Sequence, residues 1–204
     1  MGTSYETVLV AAEFTAVVEA VTATGRRALV VPVVDDRVAV IPSEGAFGVA
    51  ELRPIATLVG KRLGCPVLTS TVFDSDVVQC CVFQDGALTH RYVSDLAMIV
   101  EWFEDDDGEF KPRLDGKVLP PGQLPEGPLG DDAAAFAPFA VGAPHLDGIT
   151  AALRNADGDR FAEGQHAGIM ESLKLPPDAL TVGFRHVRQD RFPSAVLVSA
   201  GATR

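Results

Sequence analysis

Apolar residues along this chain recur at two spacings, one that suits strands and one that suits helices. Residues 5–12 (YETVLVAA) form a Val- and Leu-rich run that predicts a first strand. Glu13 then opens a helix, with Phe14, Val17, Val18 and Val21 at i, i+3, i+4 and i+7 on one stripe. Gly25 is a cheap left-handed stop for it. Residues 28–34 and 37–42 are β-branched runs around Asp35-Asp36 and predict a hairpin, with Pro32 at an edge or a bulge. Leu52, Ile55, Ala56, Val59 and Leu63 mark a second helix, with Pro54 in its first turn and Gly64 at its end. Residues 66–73, 77–83 and 87–93 read as three antiparallel strands, turned at Asp74-Ser75-Asp76 and at Asp85-Gly86. In the middle strand Val77, Gln79, Cys81 and Phe83 share one face and Val78, Cys80, Val82 and Gln84 the other. Both faces are largely apolar, so this strand is expected to be central and covered on both sides.

The character changes after Asp95. The apolar run 96–103 (LAMIVEWF) gives way to an acidic stretch, and the chain then stays rich in proline and glycine with little periodicity to Gly130. That predicts a long exposed loop. Short helices are expected over 133–139, 145–156 and 161–175, the last with Phe161, Ile169 and Leu173 toward the core. Residues 180–187 and 195–199 fit either a final strand pair or irregular coil. The fold class expected is α+β: a mainly antiparallel sheet with a ferredoxin-like βαββαβ start, extended by a meander, covered by helices, with a smaller helical C-terminal part. The divisions are a sheet domain over 1–103, an acidic Pro/Gly-rich loop over 104–130, and a helical part over 131–204 packing on the sheet, with a single domain as the alternative.

Charge narrows the partners. The 204 residues carry 28 Asp and Glu against 17 Lys and Arg, a net charge of −11. Nucleic acid and anionic membranes demand the opposite balance, so neither is expected, and a basic protein partner fits better. The plain alternative is a well-solvated surface. Three cysteines make no disulfide framework, and reduced thiols imply a cytoplasmic location. The N-terminus has no basic leader region, and no apolar run reaches the roughly 18 residues of a membrane span.

Chemistry-bearing residues are few. Asp74 and Asp76 offer hard oxygens to a divalent cation, but the chain runs on into Val77-Val78 without a further ligand, and a turn is the simpler reading, so no metal site is expected. Adjacent Cys80 and Cys81 on a strand point to opposite faces and read as buried apolar residues. His90 and Tyr92 share a strand face, with Arg91 opposite; a histidine near carboxylates is a possible base, but no nucleophile accompanies it. His145, His166 and His186 match no zinc spacing, and His166 reads as a core histidine. No phosphate or dinucleotide loop occurs, so no cofactor is expected. Trp102 beside the acidic run with Asp105, Asp106 and Asp107 is the candidate docking surface.

FDSDVV, FQDGALTHRY, the helix bearing His166 and LKLPPDAL together resemble an uncharacterised family of bacterial, mainly actinobacterial, proteins. The resemblance covers residues 68–92 and 161–180 and implies no activity and no catalytic residue. The function expected is therefore binding or regulation through protein contacts. A small-molecule or metal-dependent enzyme at the Asp74, Asp76 and His90 rim is one alternative. An acidic inhibitor or immunity-type protein is another.

Overall fold

The computed structural model describes residues 2–45, 48–120 and 122–199. It is an α+β fold built on a seven-stranded antiparallel sheet. In chain order the elements are β1 (Tyr5–Val10), α1 (Phe14–Thr22), β2 (Ala28–Val34), β3 (Arg37–Pro42), α2 (Leu52–Leu63), β4 (Val67–Phe73), β5 (Val77–Gln84) and β6 (Ala87–Val93). Then come β7 (Glu101–Glu104), β8 (Phe110–Leu114), β9 (Lys117–Val118), α3 (Ala133–Phe136), α4 (Leu146–Leu153), α5 (Ala162–Ser172) and β10 (Val196–Val198). The large sheet runs β10-β2-β3-β1-β4-β5-β6, and β7-β8-β9 form a small sheet of their own. Among the described residues no helix is long and apolar enough to cross a membrane.

Strand parity divides the core in two. All six residues of β1 are buried. Val8 and Val10 join Val38, Val40, Val67 and Phe83 beneath α1 and α2, where Val17, Val21, Ile55 and Val59 meet them. Tyr5 and Leu9 face the other way, with Leu29, Ile41, Leu68, Val78, Cys80 and Tyr92, against Phe136, Phe139, Ile149, Leu153, Ile169 and Met170 of the C-terminal layer. Both faces of β5 are covered, as its alternation requires, but β1 is the middle strand and β5 lies next to the edge strand β6.

Local chemistry sets the ends. The Glu13 carboxylate accepts hydrogen bonds from the Thr15 and Ala16 N–H groups and caps α1. Left-handed Gly64 closes α2. Pro32 sits where the β2–β3 register shifts and beyond the three residues that pair with β10, so its missing donor breaks no ladder. Arg37 reaches from β3 to the carbonyls of Pro138, Phe139 and Ala140, tying the sheet to the C-terminal layer.

The Asp85-Gly86 turn does more than reverse the chain. Both residues have positive φ, and Gly86 lies so close to α2 that a Cβ there would stand 2.4 Å from the Thr57 carbonyl oxygen. Gly86→Ala therefore combines a disfavoured backbone conformation with a clash against helix backbone. It is expected to cost about 2 kcal/mol in urea unfolding. A variant as stable as the wild type would mean the turn does not need glycine.

Three sequence expectations change. The stretch 104–130 is not one loop: β8 and β9 fall within it, and only its later part is irregular. Phe161 is exposed at the N-cap of α5, whose inward face is instead Ala162, Gln165, His166, Ile169 and Met170. Residues 196–198 form edge strand β10, whereas 180–187 are turns packed on the sheet.

Candidate functional site

The four rim candidates do not assemble. Asp74 and Ser75 adopt positive φ in the β4–β5 turn. The Asp74 carboxylate accepts the Gly2 N–H at 2.8 Å, and the Ser75 hydroxyl accepts the Thr3 N–H and donates to Glu163 at 2.8 Å. The Ser75 carbonyl also accepts the Ala162 N–H. The turn thus clasps the N-terminal segment and the start of α5, while Asp76 is exposed beside it. His90 stands opposite Val82, five residues along β5 from Val77, or roughly 16 Å of strand. There its Nε2 lies 2.7 Å from the Gly130 carbonyl, and its ring meets Phe136 edge-on. Tyr92 is fully buried, and its hydroxyl donates to the Leu153 carbonyl at 2.6 Å. An acid–base site needs these groups within hydrogen-bond reach, and the register keeps the aspartates away from His90. Among the described residues no three His, Cys, Asp or Glu side chains gather to hold a metal ion.

Beneath the sheet lies a buried polar seam whose partners the sequence reading did not pair. The Tyr5 hydroxyl and His166 Nδ1 are 2.8 Å apart, and Gln165 donates to the Tyr92 hydroxyl and the Leu153 carbonyl. Burial holds the His166 imidazole down at about 4, so it is neutral near pH 7, and its Nε2 has no partner among the described residues. Burial pushes the Cys80 thiol up to about 12, although the Ser70 hydroxyl 3.6 Å away partly offsets this. A thiol so protonated is a poor nucleophile. All three cysteines are free, Cys65 and Cys80 buried. His145 and His186 are exposed and apart from this seam, with His145 Nδ1 accepting the Gly148 N–H. The signal for the seam was present in the sequence: the first half of α5, AEGQHA, has no apolar stripe, so polar residues had to face inward.

The small sheet presents something different. Pairing places Trp102 opposite Pro112 and Glu104 opposite Phe110 on one face. Trp102 and Phe110 are 57% and 68% exposed. The other face is closed by its own residues: Arg113 pairs with Glu101 and lies over the Phe103 ring at 5.2 Å. Beside Trp102 and Phe110 opens a groove of about 740 Å³, also lined by Pro112, Val118, Leu119 and Leu124, with Glu109 and Glu126 at its polar positions. Asp105 is a building element of the β7–β8 turn. The Lys111 ammonium and the Glu109 and Asp107 N–H groups hold its carboxyl below the usual carboxylate range. Asp106 and Asp107 project from the same turn, exposed. Between residues 101 and 126 there are eight carboxylates and three cations.

A second cleft of about 510 Å³ lies between the end of α1 and the start of α2. Its charges are already matched, Arg26 with Glu51 and Glu44 with Arg185, and Arg27 rests on the Phe184 ring. The small sheet, unlike that cleft, carries unsatisfied apolar area and unbalanced charge together. No protein-family model, curated protein or solved structure matches the chain.

Proposed function

We propose that this chain is a non-enzymatic binding protein acting through protein contacts, with the groove face of β7-β8-β9 as its contact surface and a basic protein as its partner. The observation that carries this reading is the pair Trp102 and Phe110, largely exposed side by side within an acidic surround. Exposed aromatics flanked by charge are the residues that dominate binding energy in protein interfaces once water is excluded. The strand order β2-β3-β1-β4 supports a ferredoxin-like start as the scaffold, and free, mostly buried thiols support a cytoplasmic location.

Binding is tested with substitutions that leave the turn intact. Asp105 must be spared, because it holds Lys111 and two backbone N–H groups. Trp102→Ala, and separately Asp106→Ser with Asp107→Ser, are expected to reduce recovery of a basic partner in crosslinking pull-downs, Trp102→Ala by about tenfold or more. Raised salt is expected to weaken capture by the wild type. Equal recovery by wild type and Trp102→Ala would remove the small sheet as the contact surface.

A further inference from the structure

We propose that the groove takes a short linear segment of its partner: one bulky apolar side chain seated against Trp102 and Phe110, with a neighbouring lysine or arginine facing Glu109 and Glu126. The inference rests on the small sheet being the contact surface, and it adds what that surface recognises.

Size is the first argument. A groove of about 740 Å³ is on the scale that encloses a drug-sized molecule or a few side chains. A rigid protein face making a standard contact covers roughly 800 Å² per partner, whereas the opposite face of this small sheet is occupied by Arg113, which lies over Phe103 and pairs with Glu101. Chemistry is the second. The lining includes Pro112, Val118, Leu119 and Leu124 beside Trp102 and Phe110, so the anchor is apolar. The one cation in the lining, Lys111, is already held by Asp105, with the Glu109 carboxylate at 4.0 Å. Glu109 remains largely exposed, and Glu126 has no ion pair among the described residues. The unspent charge at the groove is negative. A second copy of this chain would bring the same acidic surround against itself, and like charges across a contact oppose it. An anionic lipid or nucleic-acid surface is opposed in the same way.

Trp102 is the only tryptophan in the chain, so its emission reads this groove alone. The probe is a synthetic nine-residue peptide with a central leucine flanked by lysines in a glycine–serine context, free of tryptophan and tyrosine. Two control peptides replace the lysines with glutamate or the leucine with serine. The basic apolar peptide is expected to shift Trp102 emission to the blue in a saturable manner. Affinity should fall by about tenfold in Phe110→Ala and by about fivefold in Glu109→Gln with Glu126→Gln, while circular dichroism stays unchanged. Both control peptides should bind weakly or not at all. No saturable shift, or an equal shift with the glutamate peptide, overturns the inference. The two readings separate cleanly. Partner capture that depends on Trp102 without any peptide binding leaves the contact surface standing and removes the linear segment. Loss of both removes both.

Discussion

Replacing Phe136 with alanine is expected to lower the unfolding free energy by about 3–5 kcal/mol, read by urea denaturation. The ring is fully buried between the sheet and the C-terminal layer. It meets Tyr92 at 5.9 Å and His90 at 6.0 Å, both edge-on. The cost of such a truncation depends on whether the surroundings can close the cavity, and here they are pinned on both sides. Upstream, Leu129 pairs with Val93, and Gly130 is packed against the Arg91 carbonyl and His90. Downstream, Arg37 holds the carbonyls of residues 138–140, and the Val141 N–H donates to the Leu173 carbonyl. The helix bearing Phe136 has four residues and cannot move as an independent unit between these anchors. Trp102→Ala is the matched contrast. An exposed aromatic leaves stability within about 0.5 kcal/mol, although it is the one expected to decide binding. A loss below about 1.5 kcal/mol for Phe136→Ala would mean the C-terminal layer repacks freely, and would weaken the assignment of Tyr92 to the core and of half-buried His90 to its margin.

That assignment marks where the sequence was legible and where it was not. Alternation in residues 77–84 announced two apolar faces, because a strand sends neighbours to opposite sides wherever it lies. The turns at Asp35, Asp85 and Asp74 were legible for the same local reason: short acidic side chains tolerate positive φ. Parity also put His90 and Tyr92 on one face. It did not say that this face is the one Phe136, Leu153 and Gln165 close, since those contacts span 44 to 73 positions. In the small sheet, Pro112 and Asp115-Gly116 interrupt a run too short to show a period. Pro112 is tolerated because its backbone faces β9, where its carbonyl accepts the Leu119 N–H, so pairing with β7 loses no bond. Trp102 beside acidic residues was readable as a surface. Phe110 and the lining residues Leu119, Leu124 and Glu126 were not, because they come back onto the sheet only in three dimensions.

Acid is expected to weaken the fold through His166 before the surface carboxylates titrate. The imidazole is fully buried and held at about 4 by desolvation, against 6.5 when exposed. As pH falls below about 6.5 the unfolded chain takes up a proton that the folded chain refuses. Stability therefore declines between about pH 6.5 and pH 4, by about 3 kcal/mol, and this contribution levels off below that. Glu6 works in the opposite sense. Burial raises its carboxyl above the usual range, although the Ala50 backbone N–H opposes the shift, so its contribution is present at low pH and fades as pH rises through its folded value. The wild-type profile alone blends the two. The difference between wild type and His166→Gln isolates the histidine. The variant is expected to be less stable at pH 7, having lost the packing of the ring against Tyr5, and the gap should narrow by about 3 kcal/mol on going to pH 4. Parallel profiles would show that His166 takes up its proton in the folded state, with its Nε2 reached by water or a carboxylate such as Glu163, whose Oε2 is also buried without a partner among the described residues. A narrowing gap instead fixes the seam as a neutral lock between β1 and α5.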